Sequence, residues 1–126
     1  MTPKALSVTR TGWGALLVLV PRVPLAALTQ GRQPVGGRTL LRVLGARHVL
    51  QGVATLAVPS ALTLHLGAAA DALHSASAVA FAALDDRERR AASLDALVAA
   101  GWAVASMWAA RATERPQHAD RPIRVA

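Results

Sequence analysis

Leu40–Leu84 reads LLRVLGARHVLQGVATLAVPSALTLHLGAAADALHSASAVAFAAL. It holds two long apolar runs, Leu40–Val58 and Leu62–Leu84, joined only by Pro59-Ser60-Ala61. Both runs carry ionisable residues in their middles, and the turn between them carries none. A connection this short and uncharged between runs this apolar points to a pair of membrane helices. Arg47, His48, Asp71 and His74 would then lie at or near hydrocarbon depth, where an unpaired charge is costly and marks a partner or a task.

Composition supports that class. The chain has 126 residues, one domain's worth, with 53% hydrophobic and 17% charged residues, against roughly 25% charged in a typical soluble domain. Its charges cluster at Lys4–Arg10, Arg32–Arg47, Asp85–Arg90 and Arg111–Arg124, whereas soluble amphipathic helices place a charge every turn or so. The net charge of +7 would suit nucleic acid, but Tyr is absent, Phe81 is the single Phe, and no basic stripe is interleaved with aromatics. Arginines flanking apolar runs fit anionic lipid headgroups better. Membrane lipids are therefore the expected partner and nucleic acid is not. The lack of cysteine rules out disulfides, thiolate metal sites and cysteine nucleophiles. Lys4, Arg10 and Trp13–Val20 mimic the start of a signal peptide, but Pro21-Arg22-Val23-Pro24 follows where a small-residue cleavage site would stand.

The expected fold is an all-α integral membrane protein of about four transmembrane helices, near residues 11–28, 39–58, 62–84 and 91–112, followed by a mobile basic tail over 113–126. The middle two form a tight hairpin at Pro59-Ser60. Pro21 and Pro24 with Arg22 interrupt the first segment, since proline removes a helix hydrogen bond and bends the axis. Two readings fit it: a short kinked span, or a half-helix Thr11–Val20 that breaks and continues along the surface. Thr29–Arg38 is a loop by its Gly and Pro content. Asp85 with Glu88 three residues on resembles a capping box that would start the fourth helix. The arginine-free Pro59 turn and the basic loops around it favour the turn outside and the loops in the cytoplasm.

In an antiparallel pair of equal rise, residue numbers that sum to about 119 lie at one depth. Arg47 is then level with Ala72, and His48 with Asp71. His74 shares a face with Asp71, three residues away, and Gln51 shares one with Arg47. Three readings follow. Asp71 neutralises Arg47 with the histidines closing hydrogen bonds, which fixes register more than it stabilises; or the group is a proton or ion relay; or His48, His65, Asp71 and His74 bind a metal. The metal reading is the weakest, because His65 points elsewhere and no HExxH-like spacing occurs. No metal or other cofactor is expected, and neither is a catalytic residue: Ser75 and Ser77 lack a base arrangement. Arg38 and Arg42, four apart, make a stripe suited to lipid headgroups. Gly45 and Gly52 are expected packing contacts. The chain's 29 alanines concentrate in the last two segments, and small residues let helices approach closely in lipid; Ala78 and Ala99 are expected to mark a partner's docking face.

RVLGARHVLQG (Arg42–Gly52), DALHSAS (Asp71–Ser77) and LDDRERRAA (Leu84–Ala92) resemble small polytopic membrane proteins of high-GC actinobacteria, mycobacteria among them, over about residues 10–110. The resemblance implies a multi-pass plasma-membrane protein, brings no catalytic residue, and suggests a setting in a lipid-import machine of the mammalian-cell-entry type. The resulting expectation is a non-enzymatic accessory or assembly subunit of a larger membrane complex. The alternative is a small oligomeric transporter or channel that uses the Asp/His group.

Overall fold

The computed structural model describes residues 2–32 and 36–114. Five helices and no strand are found among them: α1 Pro3–Leu19, α2 Arg22–Thr29, α3 Gly37–Ala57, α4 Ala61–Leu84 and α5 Arg89–Glu114. The expected tail begins inside α5, and its residues 115–126 lie outside the described ones.

Local chemistry sets the boundaries. Thr2 caps α1, its hydroxyl accepting from Ala5 N at 3.2 Å, with Pro3 in the first turn, where the missing N–H costs nothing. Helix α1 therefore starts eight residues before the expected Thr11 and takes in Arg10. It stops at Leu19, ahead of Pro21, and α2 leaves at 88° to it. Pro24 sits in the first turn of α2, a position proline tolerates. Gln30 (φ 55°) and Gly31 (φ 82°) end α2 in the left-handed region, a common helix stop. Ser60 caps α4 through Thr63 N at 3.1 Å. The expected capping box does not form: Asp85 ends α4, its carboxylate accepts from Arg87 N at 2.9 Å, and α5 begins only at Arg89.

The helices pair as α1 with α3 and α4 with α5. The expected tight hairpin holds only at its turn, because the α3 and α4 backbones meet closely at few points. Small residues explain this choice of neighbours. Ser7 and Gly14 on α1 are spaced by seven, as are Gly45 and Gly52 on α3, and all four are buried. A Cβ on Gly14 would lie 2.6 Å from Gly45 O, and one on Gly52 would lie 2.9 Å from Ser7 O, so the antiparallel backbones approach closely enough that no side chain fits at the glycines. The second pair repeats the device with Ala68, Ala78 and Ala82 against Ala92, Ala96, Ala99 and Ser106, all buried. Ala78 and Ala99 are therefore covered by their own chain and offer no docking face.

Helices α4 and α5 are long and apolar enough to cross a membrane, and the bent α1–α2 pair makes a third if it counts as one broken span. By length and composition two to three helices can cross, and the expected four are not confirmed. Helix α3 falls short because Arg42, Arg47, His48 and Gln51 dilute its apolar run. Only 22% of the α4 span and 17% of the α5 span is buried inside the protein, so their apolar side chains mostly face outward.

Candidate functional site

Asp71 is the most enclosed ionisable group, fully buried at the centre of α4. Its Oδ2 accepts from Arg10 Nη2 of α1 at 2.6 Å, and its Oδ1 accepts from Arg47 Nη2 of α3. Arg10 Nη2 also donates to Ser106 Oγ of α5 at 2.9 Å, and the guanidinium lies over the Trp102 ring, 4.9 Å from its centroid. Asp71 thus ties α4 to α1 and α3, and Arg10 extends the network to α5, so that it joins all four long helices. Alone, α1–α3 and α4–α5 would have only a thin contact; Arg10 and Arg47 reach from one pair to the other and meet at Asp71.

Arg47 and Asp71 meet as depth matching suggests, and Gln51 Nε2 follows the same register toward Gly67 O at 3.5 Å. Their contact is made by side chains spanning helices whose backbones stand apart. His48 is buried on the same layer but makes no hydrogen bond to Asp71; its ring rests against Trp102, centroids 5.7 Å apart. His74 leaves the cluster altogether and binds Asp95 Oδ2 of α5 at 2.8 Å. His65 pairs with Glu114 at 2.9 Å near the far end of α5. The four expected polar residues therefore divide among three places, and among the described residues no three His, Asp or Glu side chains gather as a metal site. Ser75 and Ser77 spend their hydroxyls on the Ala96 and Leu73 carbonyls. Arg38 and Arg42 lie exposed at the start of α3.

Electrostatically the cluster holds two guanidiniums against one carboxylate. Asp71 has both oxygens engaged, while Arg10 Nε and Arg47 Nε are buried without a hydrogen-bond partner among the described residues. The two arginines differ in access: the Arg10 side chain is 4% exposed and that of Arg47 28%.

Arg10 and Asp95 are the residues that sequence reasoning passed over. Arg10 reads as one of two amino-terminal positive charges unless Thr2-Pro3 is recognised as a helix start, which puts it two turns inside α1. Asp95 is the lone acidic residue in the apolar run of α5, and that isolation was its signal.

No protein family, curated protein or solved structure matches the chain. Fold and cluster define its class: an all-helical protein with two to three helices long and apolar enough to cross a membrane, locked through a buried Arg–Asp–Arg network.

Proposed function

We propose that the protein is a multi-pass membrane component acting through its outer surface, as a non-enzymatic accessory or assembly subunit of a larger complex. The observation that carries this reading is the enclosure of Asp71. A relay carboxylate must exchange protons or ions with a path, whereas Asp71 has no exposed surface and both oxygens lie on guanidiniums. Its chemistry is spent on joining helices. The outer surface supports the same reading: Val43 and Leu50 on α3, Leu66 and Leu73 on α4, and Leu97, Val104 and Trp108 on α5 are all exposed. Leu97, Gly101, Val104 and Trp108 are spaced to share one face of α5, and a Cβ at Gly101 would meet nothing within 4 Å.

Mild-detergent purification should recover a stable heteromeric complex, and Gly101→Leu, which adds bulk to that stripe, should release the partner while leaving the protein inserted. The reading fails if the purified protein alone, reconstituted in liposomes, moves protons or a solute in a His74-dependent way.

Topology gives a second expected result. Both helix pairs are antiparallel, as the Ser7–Gly52 approach and the His65–Glu114 contact require. The amino end of α1, the Pro59 turn and the end of α5 therefore share one end of the bundle. Arg22, Arg32, Arg38, Arg42, Arg87, Arg89 and Arg90 gather at the other end, against Lys4 and Arg111 among the described residues at the first. The positive-inside rule then puts the Arg-rich end in the cytoplasm. In intact cells an impermeant maleimide should label Ser60→Cys and spare Arg89→Cys; the reverse pattern overturns the orientation.

A further inference from the structure

The two helix pairs diverge away from the Pro59 turn and leave a half-open cleft of about 500 Å³, roofed by α2. This is within the ~300–1,000 Å³ that small-molecule sites occupy. Its walls are apolar, with Leu25 and Leu28 from α2, Leu40 and Leu44 from α3, and Ala78 and Phe81 from α4. Small side chains at Ala78, Ala91 and Ala92 keep the space open. Into this apolar cleft project His74 of α4 and Asp95 of α5, joined at 2.8 Å, with Glu88 also on the wall. Asp95 also lines a smaller cavity of about 150 Å³ beside Trp13 and Leu17, so it stands between two apolar spaces.

The permanent charges lining the cleft are carboxylates. Two carboxylates line it and no Lys or Arg does, among the described residues. Glu88 shares its charge with Arg32 at 3.4 Å. Among the described residues the one ionisable partner of Asp95 is His74, and the Asp95 side chain is 29% exposed. The hydroxyl of Thr29, the other polar side chain on the wall, is engaged with the Leu25 and Arg32 carbonyls. A carboxylate in an apolar enclosure favours an opposite charge that brings its own apolar body. We propose that this cleft binds a cationic amphiphile, with the hydrocarbon between α2, α3 and α4 and the ammonium on Asp95. The site is separate from the Asp71 cluster and goes beyond the subunit reading; it stands whether or not a partner protein exists.

The test is displacement, from the full chain held in an uncharged amphipol, of an alkyltrimethylammonium probe carrying a dansyl group at the far end of its alkyl tail, read by tryptophan-to-dansyl energy transfer. Competitors share one chain length: dodecyltrimethylammonium, dodecanol, dodecanoate and dodecylphosphocholine. The cation should compete about tenfold better than the alcohol, the gap expected of one partly screened ion pair, since a quaternary ammonium has no N–H to donate, and dodecanoate should be weakest. Asp95→Asn should abolish the preference of cation over alcohol. Ala91→Phe, which fills the cleft, should weaken all of them. Dodecylphosphocholine matching the cation would identify a zwitterionic lipid as the source, and weaker competition a soluble hydrophobic amine; both support the site. Equal competition by all headgroups, dodecanoate binding best, or a preference that survives Asp95→Asn in a variant with an unchanged circular dichroism spectrum would each overturn it. The headgroup series on the unmodified protein decides the matter even if Asp95→Asn fails to fold.

Discussion

Asp71→Ala is expected to destabilise the protein by about 3–5 kcal/mol, the range seen when one partner of a buried ion pair is removed in soluble proteins. The substitution leaves two guanidiniums, both reaching from the α1–α3 pair toward α4, side by side with no anion to neutralise them. The arginine variants should rank below it. Arg10→Ala leaves a one-to-one Arg47–Asp71 pair, but removes the contacts to Ser106 and Trp102 and opens a buried space. Arg47→Ala leaves the better-enclosed Arg10–Asp71 pair intact at 2.6 Å and should cost least, because Arg47 is already partly exposed. Removing Arg10 and Asp71 together, as Arg10→Ala with Asp71→Ala, should recover part of the single losses, since Arg47 is left with access to the outside. Denaturant titration followed by circular dichroism gives all of these values. Additive losses for Arg10 and Asp71 would show that the two groups do not act on each other in the folded protein.

Gly45→Ala should be the second most damaging small change, at about 1–3 kcal/mol for forcing an extra methyl into a packed contact. The new Cβ would lie 2.6 Å from Gly14 O and 2.8 Å from Leu17 Cβ. The first of these is backbone and cannot swing away, so α1 and α3 must separate along their length. The parallel change Gly12→Ala is the control. Gly12 is exposed on α1, and a Cβ there meets nothing within 4 Å. It should gain about 0.5–1 kcal/mol from the better helix propensity of alanine. A melting temperature that falls equally for both variants would show that the α1–α3 crossing is not a close contact.

Much of the local structure is legible in the sequence because its causes are local. Pro21, Pro59, Gly31 and Gly36 break the chain where the backbone needs them to, and the helices expected near 39–58 and 62–84 lie within two residues of the observed ends of α3 and α4. One signal misled. Asp85 and Glu88 match a capping box by type and spacing, yet Asp85 serves the end of α4 and the turn to Arg87. Apolar length suggested four spans, whereas hydropathy along α3 is eroded by the same polar residues that build the cluster.

The sequence by itself determined an all-helical chain, its breaks, and the shared depth of Arg47 and Asp71, since rise per residue and the shortness of the Pro59 turn leave depth little freedom. It did not determine rotation about each axis, and rotation decides neighbours. Only the tertiary structure showed that the seven-residue spacing of Ser7 and Gly14 matches that of Gly45 and Gly52, which takes α3 to α1 and away from α4. That one pairing delivers Arg10 to Asp71, opens the cleft between the helix pairs, and turns His74 toward Asp95. Close approach between backbones depends on two surfaces fitting each other, a property that neither segment carries alone.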